Sequence, residues 1–299
     1  MRSNSPFITE TSHAIHEIYY MLRHYDWKKY GSALRKPMLV FMVNNAKGFY
    51  VGGMVDRFKG IISTYAWCKQ RNIDFRIRHI FPFELADYLD PAHYDWRLRE
   101  NEFSTSIWDA TLMRARGEYG RRLVKKKEFR KQIHYYGNRD FLDYINETGE
   151  TNYTWGELFK ELFQPGKELL ELVKQKSREI SKPYISAVFR FQNLLGDFKE
   201  YKFSTLNDEN RREELIKKCL NGLIDLQEQY PEMSILVTSD STTFIDRASE
   251  LPGIYVIGGK RVHMGCTADA AYDTYLNSFV DFYMLADSRR IFSLGTDEM

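Results

Sequence analysis

Short apolar runs and amphipathic stripes alternate along the first part of the chain. The run "MLVFMV" at 38–43 is apolar and bounded by Pro37 and Asn44, which predicts a buried strand. Apolar side chains then recur at spacings of three and four over 54–71, the pattern of an amphipathic helix. "DFRIRHI" at 74–80 alternates polar and apolar residues and is predicted as a second strand. Strand, helix and strand in this order form a βαβ unit, so we expect a parallel sheet.

The flanks of this unit also carry helical and strand patterns. Residues 9–30 are predicted as an opening amphipathic helix, and "QIHYY" at 132–136 is a candidate strand. The basic stretch at 113–132 is interpreted as a solvated helical face, with phosphate or nucleic-acid binding as the alternative. Two helical pieces over 155–180 are broken at Pro165-Gly166.

A new apolar, strand-like run begins near residue 180. We therefore place a domain boundary there, between 1–180 and 181–299. Strands and helices alternate strictly beyond it, which predicts a Rossmann-like domain. The predicted strands are 181–191, 233–240, 253–259 and 289–295, and the predicted helices are 208–229, 242–251 and 271–288.

Polar residues follow the ends of these strands, where open parallel sheets bind their ligands. The residues at the strand ends are Arg190, Ser239 to Ser241, Gly258 to Lys260, and Ser293 to Asp297. Arg190 is the strongest candidate, because it ends an apolar strand where an unpaired charge is costly. The chemistry leaves two interpretations open: Arg190 binds a diphosphate, or it pairs with a carboxylate such as Asp197 or Asp240.

Composition and absent motifs narrow the function classes. The chain of 299 residues is 43% hydrophobic with a net charge of +2, which favours a globular protein without a nucleic-acid partner. The three cysteines are scattered, and the chain shows neither a signal-peptide pattern nor an apolar run long enough for a bilayer. These features indicate a cytoplasmic protein without a membrane-spanning segment, and peripheral membrane association stays open.

Neither G-x-G-x-x-G nor a P-loop is present, and no D-x-D motif offers a metal site. We therefore expect neither a metal nor a cofactor. If the chain is a sugar transferase, it must neutralise the leaving diphosphate by other means, and a guanidinium and helix N-termini can do so.

Several segments, in order, resemble one group of enzymes. "GGMVDRFKGIISTYAW" resembles the G-x-x-D-R-x-x-G-[IL]-[IL]-S segment of the xyloglucan, nodulation and core N-glycan fucosyltransferases. The further segments that resemble this group are "FPFELADYLDPAHYDWRL", "AVFRF", "ILVTSDSTTFIDRASELPGIYVI" and "SFVDFYMLADSRRIFSLGTDEM".

The resemblance implies a fold, a reaction and a set of partners. The fold is α/β of the GT-B type, with two Rossmann-like α/β/α domains that face each other across a cleft. The reaction is an inverting, metal-independent transfer of fucose from GDP-fucose to a hydroxyl of a glycan acceptor. The N-terminal domain serves the acceptor side, and the C-terminal domain binds the nucleotide sugar.

The resemblance also implies roles for individual residues. Arg190 matches the arginine on the β-phosphate, and the general base is Asp197 or Glu200, with Asp56 as a weaker candidate. The other expected donor-binding residues are Asp240, Ser241, Asp281, Ser293 and Thr296. The residues expected to line the acceptor side are Gly52, Gly53, Asp56 and Arg57. For Asp56 and Arg57 the alternative is structural, in which they cap the first helical turn and pair with each other or with a neighbour.

The sequence departs from the group at the nucleotide site. Val188 stands where the group has the histidine that helps to seat guanine, which leaves the nucleotide base open. Two other functions therefore stay in view. One is a degenerate homologue that binds a glycan or nucleotide without transfer, and the other is a GT-B transferase that uses a different nucleotide sugar.

Overall fold

The structure is a computed structural model that describes residues 15, 17–27, 37–45, 52–115, 132–181, 183–198, 200, 203–265 and 270–294. Within the predicted opening helix at 9–30, residues 17–24 form helix α1. Of the basic stretch at 113–132, only 113–115 and 132 are described, and these residues are buried in strands, so the interpretation as a solvated helical face is wrong for them. Thr296 lies outside the described residues.

The chain divides into two compact units, Met1–Gln164 and Pro165–Met299. We call them the N-terminal unit and the C-terminal unit. The division precedes the helix at 167–179, which the sequence placed before its boundary near 180. The assignment of an acceptor side and a donor side to the two units stays a prediction.

The N-terminal unit is built on a four-stranded sheet with the order β2-β1-β5-β4. Its β1 pairs in parallel with β2 and β5, and β4 pairs in parallel with β5. A second, two-stranded sheet joins β3 to β6, which ends at the first residue of the C-terminal unit. The elements are β1 (Met38–Val43), α2 (Met54–Gln70), β2 (Asp74–His79), β3 (Leu89–Pro91), β4 (Ala110–Ala115), β5 (Gln132–Gly137), α3 (Leu142–Gly149), α4 (Trp155–Leu162) and β6 (Phe163–Pro165).

Helix α2 lies in the interior of this unit. Besides β1 and β2 it contacts α3 and α4, so its side chains are buried over most of its length. Phe58 packs edge-on against Phe159 of α4 at 5.2 Å between ring centroids. Gln70 at the other end donates a hydrogen bond to the Ile145 carbonyl of α3. Burial on both faces explains why α2 carries apolar residues beyond a single stripe.

The C-terminal unit has a second four-stranded parallel sheet with the order β10-β7-β8-β9. Ile185, Val237 and Phe244 lie in its core and are completely buried. The elements are α5 (Lys167–Glu179), β7 (Tyr184–Phe189), α6 (Glu209–Gln229), β8 (Ser234–Ser239), α7 (Thr242–Ala248), β9 (Ile254–Val256), α8 (Tyr272–Asp287) and β10 (Ile291–Leu294).

The strand order of this sheet reverses direction at β7. The chain runs outward from β7 through β8 to β9, and then returns to place β10 on the other side of β7. Ligands of open α/β sheets bind beyond the carboxyl ends of the strands at such a reversal. The topology therefore points to the end of β7, where Arg190 follows.

The alternating strands and helices of the C-terminal unit are confirmed, and so are β1, α2, β2 and β5. Strand β4 and helix α3 were not predicted, because the middle of the chain shows no clear period. Within the described part of the chain, no helix is both long and apolar enough to cross a bilayer.

Candidate functional site

Arg190 directly follows β7 and stands between two carboxylates. Its Nη1 lies 3.0 Å from Asp240 Oδ2, and its Nη2 donates to Glu200 Oε2 at 2.7 Å. The guanidinium also lies over the ring of Phe198, 5.0 Å from the centroid. The Arg190 side chain nevertheless remains 48% exposed, so its contacts orient the cation without enclosing it.

Asp240, at the end of β8, fixes the turn that carries Arg190. It accepts hydrogen bonds from the backbone N–H groups of Phe191 and Gln192, each at 2.8 Å. Gln192 adopts a φ of 56°, a left-handed conformation that is uncommon for a residue other than glycine. Burial raises the pKa of the Asp240 carboxyl, while Arg190 and the two N–H donors act in the opposite direction. The contacts join the ends of β7 and β8 into one rigid corner.

Glu200 is held from its backbone as well as from its carboxylate. Its N–H donates to Asn193 Oδ1 at 2.6 Å, and its carbonyl accepts from Asn193 Nδ2 at 2.7 Å. The carboxylate oxygen that does not contact Arg190, Oε1, lies 3.5 Å from His263 Nε2. Glu200 is therefore a carboxylate that is fixed beside the exposed guanidinium of Arg190.

Asp197 and Ser241 lie together at the N-terminus of α7. Asp197 Oδ2 accepts hydrogen bonds from Ser241 Oγ and from the Thr243 N–H, each at 2.8 Å. Ser241 is the N-cap of α7 and accepts from the Phe244 N–H. Both side chains thus stabilise the start of a helix, as N-terminal caps do.

Asp281, on α8, forms a two-point ion pair with Arg261. Its Oδ2 lies 2.6 Å from Arg261 Nε and its Oδ1 lies 2.8 Å from Nη2. Arg261 also donates to three backbone carbonyls of the loop after β9, those of Ile257, Gly258 and Gly259. Burial raises the pKa of Asp281, and the contact with Arg261 opposes the rise. Both carboxylate oxygens of Asp281 are thus occupied by this chain's own arginine.

The last predicted donor residues lie on or beyond β10. Ser293 is exposed on this strand and pairs in register with Val188 of β7. Thr296 is outside the described residues. A donor-binding role for either residue stays a prediction.

The predicted acceptor-side residues belong to the N-terminal unit. Gly52 has a φ of 82°, and a Cβ placed on it would lie 2.5 Å from Asp56 Oδ2. Gly53 is the N-cap of α2 in an ordinary extended conformation. Asp56 is 3.5 Å from Lys59. The glycine at position 52 is therefore required by the turn, while that at 53 is not.

Arg57 is buried inside the unit, where it forms what we call the Arg57 clamp. Its Nε donates to the Gly52 carbonyl at 3.0 Å, and its Nη1 donates to the Phe81 carbonyl at 2.9 Å and to His79 Nε2 at 3.0 Å. The other ring nitrogen of His79, Nδ1, is 3.0 Å from the Phe83 carbonyl and must donate to it. Burial, followed by the charge of Arg57, lowers the pKa of His79 to about 3, in keeping with a neutral ring that accepts from Arg57. These contacts match the structural alternative for Arg57, and a role toward an acceptor stays a prediction.

The structure brings Arg190, Asp240 and Glu200 together after β7, and it places Asp197 beside Ser241 at the start of α7. Sequence reasoning missed His263 and Arg261, which lie in an irregular segment after β9 without any periodic signal. Among the residues that the structure describes, no three His, Cys, Asp or Glu side chains converge as metal ligands do. The site thus combines an exposed cation, Arg190, with two fixed carboxylates, Asp240 and Glu200, at the end of a parallel sheet.

The structure is similar to solved fucosyltransferases. It matches NodZ α-1,6-fucosyltransferase co-crystallized with GDP, with a TM-score of 0.55, 11% identity, and coverage of 86% of this chain and 88% of that one. It matches NodZ soaked with GDP-fucose with a TM-score of 0.54 and 10% identity, covering 86% and 88%. A mutant of Arabidopsis thaliana FUT1 in complex with GDP gives a TM-score of 0.54 and 10% identity, covering 93% and 69%.

At this level of identity the likeness is one of fold. The chain has the fold of these GT-B fucosyltransferases, with two Rossmann-like α/β units, as the sequence predicted. No protein-family model matches the chain, and no curated protein matches its sequence.

Proposed function

We propose that this protein is an inverting fucosyltransferase that moves fucose from GDP-fucose to a hydroxyl group of a glycan. The observation that carries the proposal is the position of Arg190. It presents an exposed guanidinium at the strand-order reversal of a sheet whose fold is shared with enzymes crystallised with GDP and GDP-fucose. A guanidinium matches the geometry of phosphate oxygens and stays charged at any physiological pH.

The reaction follows from the placement of charge. The acceptor oxygen forms a bond to the anomeric carbon while the bond from that carbon to the β-phosphate oxygen breaks. The electron pair of the broken bond leaves with GDP, whose new negative charge Arg190 stabilises. The acceptor proton passes to a carboxylate, and the opposite approach of acceptor and leaving group inverts the anomeric centre.

Between the two candidate bases, the contacts favour Glu200 over Asp197. One oxygen of Asp197 accepts two hydrogen bonds at the start of α7, whereas Glu200 stands beside Arg190. When Arg190 binds the diphosphate, its contact with Glu200 weakens, because the phosphate oxygens compete for the same guanidinium. A carboxylate released in this way becomes the better proton acceptor.

We also propose that the transfer needs no metal ion, because Arg190 neutralises the charge of the leaving diphosphate. This proposal predicts that EDTA leaves the transfer rate unchanged. A rate restored only by added Mg²⁺ or Mn²⁺ would contradict it. The cytoplasmic location expected from the cysteine content stays a prediction.

The substitution Arg190→Ala tests whether Arg190 stabilises the leaving diphosphate. We expect kcat for transfer from GDP-fucose to fall by about 10²- to 10³-fold, the usual loss when one transition-state contact of this kind is removed. Arg190→Lys retains the charge that faces Asp240 but not the planar fork, so it keeps the fold and still lowers kcat. Arg247→Ala is the matched control, because Arg247 is similarly exposed and pairs with Glu213 on the surface. Normal turnover by both Arg190 variants would refute the assignment.

A second candidate, transfer from a different nucleotide sugar, has an observation in its favour. Asp281 is occupied by Arg261, and Val188 offers no polar group at the end of β7. A thermal-shift panel of GDP, UDP and their sugars separates the candidates. Stabilisation by GDP ligands alone supports fucosyl transfer, a preference for UDP ligands supports the second candidate, and no response to any nucleotide supports a degenerate homologue.

A further inference from the structure

His263 lies behind the candidate base, in the irregular segment between β9 and α8. Its side chain is only 7% exposed. The ring nitrogen Nδ1 accepts a hydrogen bond from the Gly265 N–H at 3.1 Å, so Nδ1 carries no proton. The proton of the ring is therefore on Nε2, and Nε2 lies 3.5 Å from Glu200 Oε1.

The two oxygens of Glu200 thus have different neighbours. Oε2 accepts from Arg190 at 2.7 Å, and Oε1 faces the Nε2–H of His263. Phe198 contacts both neighbours of Glu200: the guanidinium of Arg190 lies over its ring, and the neutral imidazole of His263 packs against it in a T-shaped arrangement with 6.2 Å between the ring centroids. Each oxygen of Glu200 consequently faces a different donor.

The distance of 3.5 Å is long for a hydrogen bond. Catalytic contacts are often long before the substrate binds and shorten only in the reacting complex. Here the bond to Arg190 competes for the same carboxylate. When a diphosphate draws the guanidinium away, Glu200 can move toward His263 and shorten this contact.

We propose that His263 is a positioning residue for Glu200, and this inference rests on the fucosyl transfer proposed above. Its Nε2–H holds one carboxylate oxygen, so that the other points at the acceptor hydroxyl after Arg190 has turned to the diphosphate. His263 itself exchanges no proton with the substrate. Loss of this contact misplaces the base, and an error of about 1 Å at a reacting group can cost about 100-fold in rate.

Two substitutions separate the two contacts of the ring. His263→Gln places an amide N–H close to the position of Nε2 and so keeps the donor to Glu200. His263→Asn places its amide close to the position of Nδ1 and keeps only the partner of Gly265. His263→Ala removes both. We expect kcat to fall by about 10- to 100-fold in the Ala and Asn variants, with KM for GDP-fucose unchanged, and to be largely restored by Gln.

A Glu200→Gln background tests whether His263 acts through Glu200. Groups that act through one another are not additive, so adding His263→Ala to Glu200→Gln should lower kcat no further. Free energies of unfolding, measured for each variant, confirm that the compared proteins are folded. Rescue by Asn instead of Gln, normal kcat in the Ala variant, or a full multiplicative loss in the double variant would each overturn the inference.

Failure of the inference is distinguishable from failure of the proposed function. A wild-type protein that turns over GDP-fucose while His263→Ala does so equally well refutes the positioning role alone. A wild-type protein that neither binds GDP nor transfers fucose refutes the proposed function, and the inference falls with it.

Discussion

Gly52 shows how a single backbone angle shapes the start of α2. Its φ of 82° lies in the region that side chains avoid, and the space beside its Cα is taken by the carboxylate of Asp56. The same residue supplies a carbonyl to Arg57. Gly52 is thus required because it lacks a side chain, and its own contribution is the backbone carbonyl that binds Arg57.

Replacing Gly52 by Ala should destabilise the N-terminal unit by about 1–3 kcal/mol, from the left-handed conformation and the contact with Asp56. The measurement is urea unfolding at neutral pH. Gly156→Ala is the matched control, because a Cβ there meets no atom within 4 Å. We expect that control to gain about 0.5–1 kcal/mol, since Ala favours a helix over Gly. Equal effects of the two substitutions would contradict the role given to Gly52.

At this scale the sequence could identify some site residues and not others. Arg190 was recognisable because a charge at the end of an apolar run is unusual, and Asp240 was one of its two suggested partners. Glu200 was named as a candidate base, but its contact with Arg190 was not foreseen. Arg261 and His263 escaped notice because an arginine or a histidine in an irregular segment carries no signal until its distant partner is known.

The loop after β9 and helix α8 are joined by one ion pair. Arg261 and Asp281 are 11% and 14% exposed, and the arginine also satisfies three loop carbonyls. Charges that are this buried depend on each other, because removing one leaves the other without compensation. The pair therefore fixes the loop that carries His263.

Arg261→Met should cost about 3–5 kcal/mol of stability, the usual loss when one partner of a buried pair is removed. Adding Asp281→Leu should recover part of the loss, because the second charge no longer stays behind unpaired. Chemical denaturation of the single and double variants measures both effects. Arg247→Met, which breaks an exposed pair, should cost less than about 1 kcal/mol. A double variant that is less stable than Arg261→Met would argue against this account.

Strands and helices were predictable where apolar and polar residues alternate with a clear period. Strand β1 was predicted at its observed bounds, and the long α6 to within one residue, since both are bounded by polar or turn residues. Strand β4 was missed because Arg114 interrupts its apolar run, although that arginine is buried in the structure. The break between α4 and α5 was predicted at Pro165-Gly166, but the pairing of β6 with β3 depends on chain segments far apart in sequence.

At the scale of the whole molecule, two of the buried histidines that the structure describes set a dependence of stability on pH. His79 and His134 both belong to the N-terminal unit. Burial, with the charge of Arg57 near one and of Arg78 near the other, lowers the pKa of each to about 3. Both rings are neutral in the folded unit and become charged on unfolding below pH 6.5 or so.

Acid should therefore weaken the N-terminal unit. The unfolded state binds up to two more protons, so stability is full above about pH 6.5 and is lost as the pH falls toward about 3. Each histidine contributes up to about 1.4 kcal/mol per pH unit in this window. Hydrogen exchange at pH 7, 6 and 5 should show protection falling first in β2 and β5, the strands that carry His79 and His134. His79→Gln should reduce by one the number of protons taken up on unfolding, and so make the pH dependence of stability less steep. A pH dependence unaffected by His79→Gln would contradict this origin.

The Arg57 clamp has a consequence for how such proteins diverge. Of the three acceptors described above, two are backbone carbonyls, those of Gly52 and Phe81, and one is the side chain of His79. A substitution at Phe81 leaves its carbonyl in place, so the residue there is free to drift while the contact persists. Of these three contacts, covariation between homologous sequences would register only the one between Arg57 and His79. The two backbone contacts of Arg57 therefore leave no signal in a comparison of homologous sequences.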